Sequence, residues 1–304
     1  MDFWNLTIKI IFLSETTTGI LGNFSLLYYY LIQCGECILK PTELILTHLM
    51  AANVLTILSA GVPHTMAAFG LKQFLNDCAC RLVLFIERVG RSVSIGITCL
   101  LSVFQAMTIS HMQFCCKDPR VKSPKYIGIS IALLWILYML IHFVYFVYPF
   151  IKRNCKNVTR KRDFGYCFIA GQNEISNSLY VALVVCPEIF FSFLMAWSSG
   201  SMVVILYRHK HRVQHIHSTC SCRRTSPESR AIKNILVLVF IFLAFYTLSS
   251  ILQGCIALLY NHIWWLVNIT NLTSLCFPSF APLAVMNYYC RVPRLSLVRI
   301  RNTN

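Results

Sequence analysis

The stretch Tyr126–Ile151, YIGISIALLWILYMLIHFVYFVYPFI, runs for 26 residues without an Asp, Glu, Lys or Arg. A helix of about 20 residues already spans the ~30 Å hydrocarbon core of a bilayer. Its apolar residues are continuous rather than alternating, so the backbone must satisfy its own hydrogen bonds inside lipid as a helix and not as a barrel strand.

Six more stretches have the same character: Ile8–Ile32, Leu44–Gly70, Leu82–Ser110, Ser178–Tyr207, Ala231–Tyr260 and Trp264–Met286. The reading is an all-α, seven-transmembrane helical bundle, one domain over residues 1–304. Composition agrees, because 57% of the residues are hydrophobic and 12% charged, too few charges to clothe a soluble globule of this length. The connections and the tail are too short for a soluble domain. Seven residues precede the first span without a basic region or a small-residue cleavage site, so no removable signal peptide is expected and span one acts as the anchor.

Orientation follows from Lys and Arg on alternate sides. One side carries Lys40; Lys117, Arg120, Lys122 and Lys125; Arg208, Lys210, Arg212, Arg223, Arg224 and Arg230; and Arg291, Arg294, Arg299 and Arg301, fifteen in all. The other side carries eight, six of them in the connection after span four. The fifteen-charge side is expected to be cytoplasmic, which places the N-terminus outside and the C-terminus inside. The basic fourth connection departs from the rule, yet it holds the acceptor triplet Asn157-Val158-Thr159, and the N-terminal stub holds Asn5-Leu6-Thr7. Asn5 and Asn157 are thus the expected glycosylation sites, whereas the triplets at Asn23, Asn268 and Asn271 lie within spans and are read as chance.

Most of the fifteen cysteines sit in apolar spans, where a thiol behaves as a small hydrophobe. Cys80 and Cys167 both face the oxidising side, and a bridge between them would pin the fourth connection over the bundle mouth. Cys78 and Cys155 lie on the same side, and spacing alone leaves them open as competitors.

Ionisable residues within a span are expensive and point to function. Span three holds Glu87, Arg88 and Arg91, about 10 Å below Cys80 at the rise of a helix. Glu87 and Arg91 have the spacing of an intrahelical pair; Arg88, joined by Arg91 if that pair opens, is a cationic contact for an anionic or polar ligand, and Glu87 one for an amine. Glu188 follows Cys186-Pro187 in span five as a structural group or pocket wall. Glu15 in span one and His142 in span four each stand alone. Asn268 and Asn271 in span seven are interhelical partners first and ligand contacts second.

No phosphate loop, zinc motif or nucleophile elbow is present in an accessible place, so no enzyme, cofactor or metal is expected. The run His209, His211, His215, His217, Cys220, Cys222 is too irregular for a metal site and reads as exposed surface. The basic segment Tyr207–Val213 beyond span five and Ser226–Arg230 before span six suit anionic lipid or a protein partner at the inner face, with no nucleic acid implied. A channel or transporter is the rival, but the chain lacks corresponding halves with paired broken helices.

Specific strings then carry a resemblance over nearly the whole chain. They are Thr65-Met66-Ala67-Ala68-Phe69-Gly70; Arg88-Val89 with Val93-Ser94-Ile95 and Cys99-Leu100-Leu101-Ser102-Val103-Phe104-Gln105; Arg208-His209-Lys210 with Arg212-Val213-Gln214-His215-Ile216; Ser226-Pro227-Glu228-Ser229-Arg230-Ala231; and Cys276-Phe277-Pro278. In these the chain resembles the vomeronasal type 1 receptors. Like that family, it lacks an Asp-Arg-Tyr triplet at the inner end of span three, where Thr108-Ile109-Ser110-His111 stands, and it lacks an Asn-Pro-x-x-Tyr motif in span seven. His111 and Ala281-Pro282 depart from the usual family residues. The resemblance implies detection of pheromones or other small chemosignals and coupling to an inhibitory-class heterotrimeric G protein through a face holding Arg208, His209, Lys210, Arg212 and Arg230. It also matches Cys80, Cys167 and Asn157 to positions the family uses outside the cell; bitter-taste receptors are the nearby alternative that the strings disfavour. Cys290, beside Arg291 and Arg294, is a palmitoylation candidate.

Overall fold

The computed structural model describes residues 3–36, 40–114, 124–151, 161–163, 166–170, 186–216, 227–258 and 264–291. Among them are seven long helices: α1 (Phe3–Glu36), α2 (Pro41–Ala68), α3 (Asp77–Phe114), α4 (Pro124–Ile151), α5 (Cys186–Ile216), α6 (Pro227–Leu258) and α7 (Trp264–Arg291). Six carry a stretch long and apolar enough to cross a membrane, and the described part of α6 contributes the shorter run Val239–Leu252. The expected spans fall on these helices, but α5 is described only from Cys186, so the portion expected from Ser178 lies outside the described residues, as does the end of span six. A small hairpin was not expected: β1 (Lys161–Asp163) pairs antiparallel with β2 (Phe168–Ala170), with Arg162 opposite Ile169.

Local chemistry sets the helix ends. Pro41 begins α2 where its missing N–H costs nothing, and the backbone N–H of Lys40 donates to Glu43 Oε2 at 3.0 Å. At the far end Gly70 takes φ +110°, and Leu71 N–H reaches back to the Met66 carbonyl at 3.1 Å, closing the helix in the Schellman manner. Within α2 a π turn, Ile57–Gly61, precedes Pro63, which cannot donate to the Ser59 carbonyl.

Small residues let the helices approach. A Cβ on Gly22 of α1 would lie 2.8 Å from Pro282 Cγ of α7, and one on Gly90 of α3 would lie 2.6 Å from Thr56 Oγ1 and 3.0 Å from the Ala52 carbonyl of α2. The resulting core joins Leu49 and Met50 of α2, Val93 and Ile97 of α3, Tyr138 of α4, Met195 of α5, Phe242 of α6 and Phe277 of α7. Through it runs a polar seam. Pro282 has no N–H for the Pro278 carbonyl, and the Asn23 side chain donates to that carbonyl at 2.9 Å. Asn53 donates to Asn23 Oδ1 at 3.4 Å and accepts from Ser94 Oγ at 3.1 Å, tying α1, α2, α3 and α7 together.

Candidate ligand site below the disulfide

Cys80, in the first turn of α3, is bonded to Cys167 beside β2, with their Cα atoms 6.0 Å apart, and Cys78 is a free, exposed thiol. This staple holds Tyr166 in the bundle mouth. Tyr166 is fully buried, its carbonyl accepts from Leu75 N–H at 3.4 Å, and its ring meets His64 of α2 edge-on at 5.0 Å. Burial, with Glu87 nearby, pushes its phenol above the ordinary value, Arg88 acting in the opposite sense, so it stays neutral. His64 in turn stacks on Phe12 of α1 at 5.8 Å and lies 3.4 Å from the Asn271 amide of α7.

Beneath Tyr166 the charged residues of α3 and α5 converge. Glu87 lies in electrostatic range of both Arg88 and Arg91, and Glu188 of α5 lies in electrostatic range of the same two arginines. Arg91 is buried and reaches α7, donating from Nη1 to Ser274 Oγ at 3.2 Å, while its guanidinium lies 5.0 Å from the ring centroid of Tyr246 in α6. Tyr246 Oη donates to the Arg91 carbonyl at 3.3 Å, and Ser249 Oγ lies 2.7 Å from Ser274 Oγ. Arg91 is thus a hub for α3, α6 and α7.

Of the residues expected to bind ligand, Glu87, Arg88, Arg91 and Glu188 form this cluster, and Asn271 joins it one turn from Ser274 through His64. Asn268 is half-buried a further turn along α7. The lone ionisable residues of spans four and one are held by neutral partners: His142 Nε2 lies 3.0 Å from Ser92 Oγ of α3, and Cys276 Sγ donates to Glu15 Oε1 at 3.2 Å while Ser279 Oγ donates to the Glu15 backbone carbonyl at 2.8 Å. Sequence reasoning missed Tyr246, Ser249, His64 and Tyr166, which carry neutral side chains ordinary for a span or loop and acquire meaning only from partners distant in sequence.

At the opposite end α5 continues to Ile216, so His209, Lys210 and Arg212 prolong a helix whose exposed Arg208 precedes them, and Arg230 lies in the opening turns of α6. His211 and His215 fall on the same extension, while His217, Cys220 and Cys222 lie outside the described residues. Asn5 lies early in α1 and Cys290 near the end of α7, whereas Asn157 and Cys155 lie outside the described residues.

The fold is that of a seven-helix bundle: squid rhodopsin superposes with a TM-score of 0.71 at 13% identity, covering 99% of this chain and 87% of its own. The profile of the vomeronasal organ pheromone receptor family matches residues 6–297, and the chain belongs to that family. It is 46% identical to human vomeronasal type-1 receptor 4 over 90% of this chain and 92% of that protein, and 43% identical to human vomeronasal type-1 receptor 3 over 95% and 93%. A zebrafish (Danio rerio) relative, olfactory receptor class A-like protein 1, is 30% identical over 81% and 78%. The protein is therefore a multi-pass plasma-membrane chemosensory receptor of the G-protein-coupled class, and not an enzyme.

Proposed function

We propose that this receptor, a single domain over residues 1–304, binds a small pheromone-type chemosignal at the cluster below the Cys80–Cys167 staple, with the N-terminus and this mouth outside the cell. The observation that carries the reading is the convergence of Glu87, Arg88, Arg91 and Glu188 from two helices beneath a pinned, buried Tyr166. Four ionisable groups inside a lipid-embedded bundle are costly and belong where a polar ligand is recognised.

The opposite end, with Arg208, His209, Lys210, Arg212 and Arg230, presents positive charge to an inhibitory-class heterotrimeric G protein. Ligand contacts that are stronger in the active arrangement shift a pre-existing equilibrium toward open inner ends of α5 and α6. Asn5 and Asn157 carry glycans on the outer side, and Cys290 is the palmitoylation candidate at the inner one. In cells expressing the chain, a chemosignal screen read by G-protein activation should give responses that vanish when a toxin uncouples inhibitory-class G proteins. Ligand-evoked currents that persist under the toxin would replace this reading with a channel.

A further inference from the structure

One face of α4 is unexplained by packing alone. Trp135, Tyr138 and His142 stand at i, i+3 and i+7, hence on one side of the helix and turned into the bundle. Tyr138 is 1% exposed and His142 2%. Trp135 Nε1, Tyr138 Oη and His142 Nδ1 are buried with no hydrogen-bond partner among the described residues. In a lipid-embedded bundle each such atom costs on the order of a few kcal/mol, so three on one face mark a place that takes a partner from outside the chain.

Their position names the place. His142 Nε2 lies 3.0 Å from Ser92 Oγ, the neighbour of Arg91 in the chain, and the Tyr138 ring lies 6.5 Å from Phe191, on α5 one turn beyond Glu188, so the face borders the proposed ligand site. The Tyr138 ring is held between Phe191 of α5, 6.5 Å away, and Gly96 of α3, where a Cβ would lie 3.4 Å from Tyr138 Cε2. His142 is oriented by Ser92, which occupies its Nε2 and leaves Nδ1 for the interior.

We infer that Tyr138 and His142 form a hydrogen-bonding subsite of the ligand pocket that recognises an uncharged oxygen, a ketone or hydroxyl on an apolar skeleton. The chemistry favours a neutral group. An indole N–H, a phenol and a singly engaged imidazole are neutral hydrogen-bonding groups, and the nearby Glu188 already has Arg91 and Arg88 of opposite charge within electrostatic range. An added ammonium or carboxylate would leave a net charge in a low-dielectric interior, which costs more than dipoles of this kind return.

This inference rests on the proposed function for the location of the pocket, and its test separates the two. The full chain in lipid nanodiscs is probed with matched ketone, alcohol, hydrocarbon, amine and carboxylate series on common carbon skeletons. Binding is read by thermal stabilisation and coupling by nucleotide exchange on the G protein. The variants are Tyr138→Phe, which removes only the hydroxyl, and His142→Gln, which retains a partner for Ser92 and removes Nδ1. Ketones or alcohols should stabilise the wild type and bind each variant about tenfold more weakly, while the parent hydrocarbons bind wild type and variants alike. Oxygenated probes that bind both variants as they bind the wild type, as a structural water on this face would produce, overturn the subsite, and so does a wild type stabilised by no ketone or alcohol. Weakened binding in the variants supports the subsite even where nucleotide exchange is absent; that absence counts against the proposed function alone.

Discussion

Asn23 shows how a single side chain holds three helices. Its amide donates to the Gly19 carbonyl at 2.7 Å and to the Pro278 carbonyl at 2.9 Å, and its oxygen accepts from Asn53. Asn23→Ala strands the Pro278 carbonyl and one Asn53 donor in a fully buried setting. The variant should unfold in detergent with a loss of about 1–3 kcal/mol, seen as a lower melting temperature, whereas alanine at the exposed Ser25 should change nothing. In the sequence Asn23 is visible only as a glycosylation triplet inside a span. The carbonyl it serves is freed by a proline at the other end of the chain, and no local pattern joins them. Arg88, Arg91 and Glu188 were legible because charge in lipid is conspicuous; Tyr246 and Tyr138 were not, because a buried tyrosine in a span looks like any other apolar residue until its hydroxyl is placed.

Among the described glycines, Gly90 of α3 is the one set against the backbone of another helix, α2. Gly90 lies against the Ala52 carbonyl and Thr56 backbone N, neither of which can move without shifting the helix beside its π turn. Gly90→Val should cost about 1–3 kcal/mol by overpacking and reduce surface expression, while Gly128→Val, at a position with open space around it, should leave expression unchanged. Element positions were the most legible layer. Unbroken apolar runs mark where helix meets lipid, and among the described residues six of the seven helices carry a run long enough to cross a membrane. The ends were less so: α5 runs on to Ile216 through basic residues that hydropathy assigns to a loop, and strands of three residues such as β1 and β2 are too short to carry an alternating signature.

At the scale of the whole molecule, the Arg91 hub links the ligand end to α6. The Tyr246 hydroxyl ties α6 to the α3 backbone, and Ser249 and Ser274 tie α6 to α7. If outward movement of α6 accompanies signalling, loss of one tie favours the active arrangement. Tyr246→Phe should raise ligand-independent nucleotide exchange about fivefold, the population shift that roughly 1 kcal/mol produces; unchanged basal exchange at equal receptor density would place the movement elsewhere. The family was legible because strings at the helix ends survive as sequence, but the proposed pocket draws on side chains from α3, α4, α5, α6 and α7, which only the fold brings together.

Arg88 and Glu188 lie within electrostatic range of one another in the proposed ligand site, and a charge exchange tests that pairing most directly. Arg88→Glu, Glu188→Arg and the double exchange are compared with the wild type by ligand-evoked G-protein activation at matched surface expression. Each single reversal should change which ligands activate, and the double exchange should return the profile toward the wild type. An identical ligand profile in all four receptors would contradict that pairing.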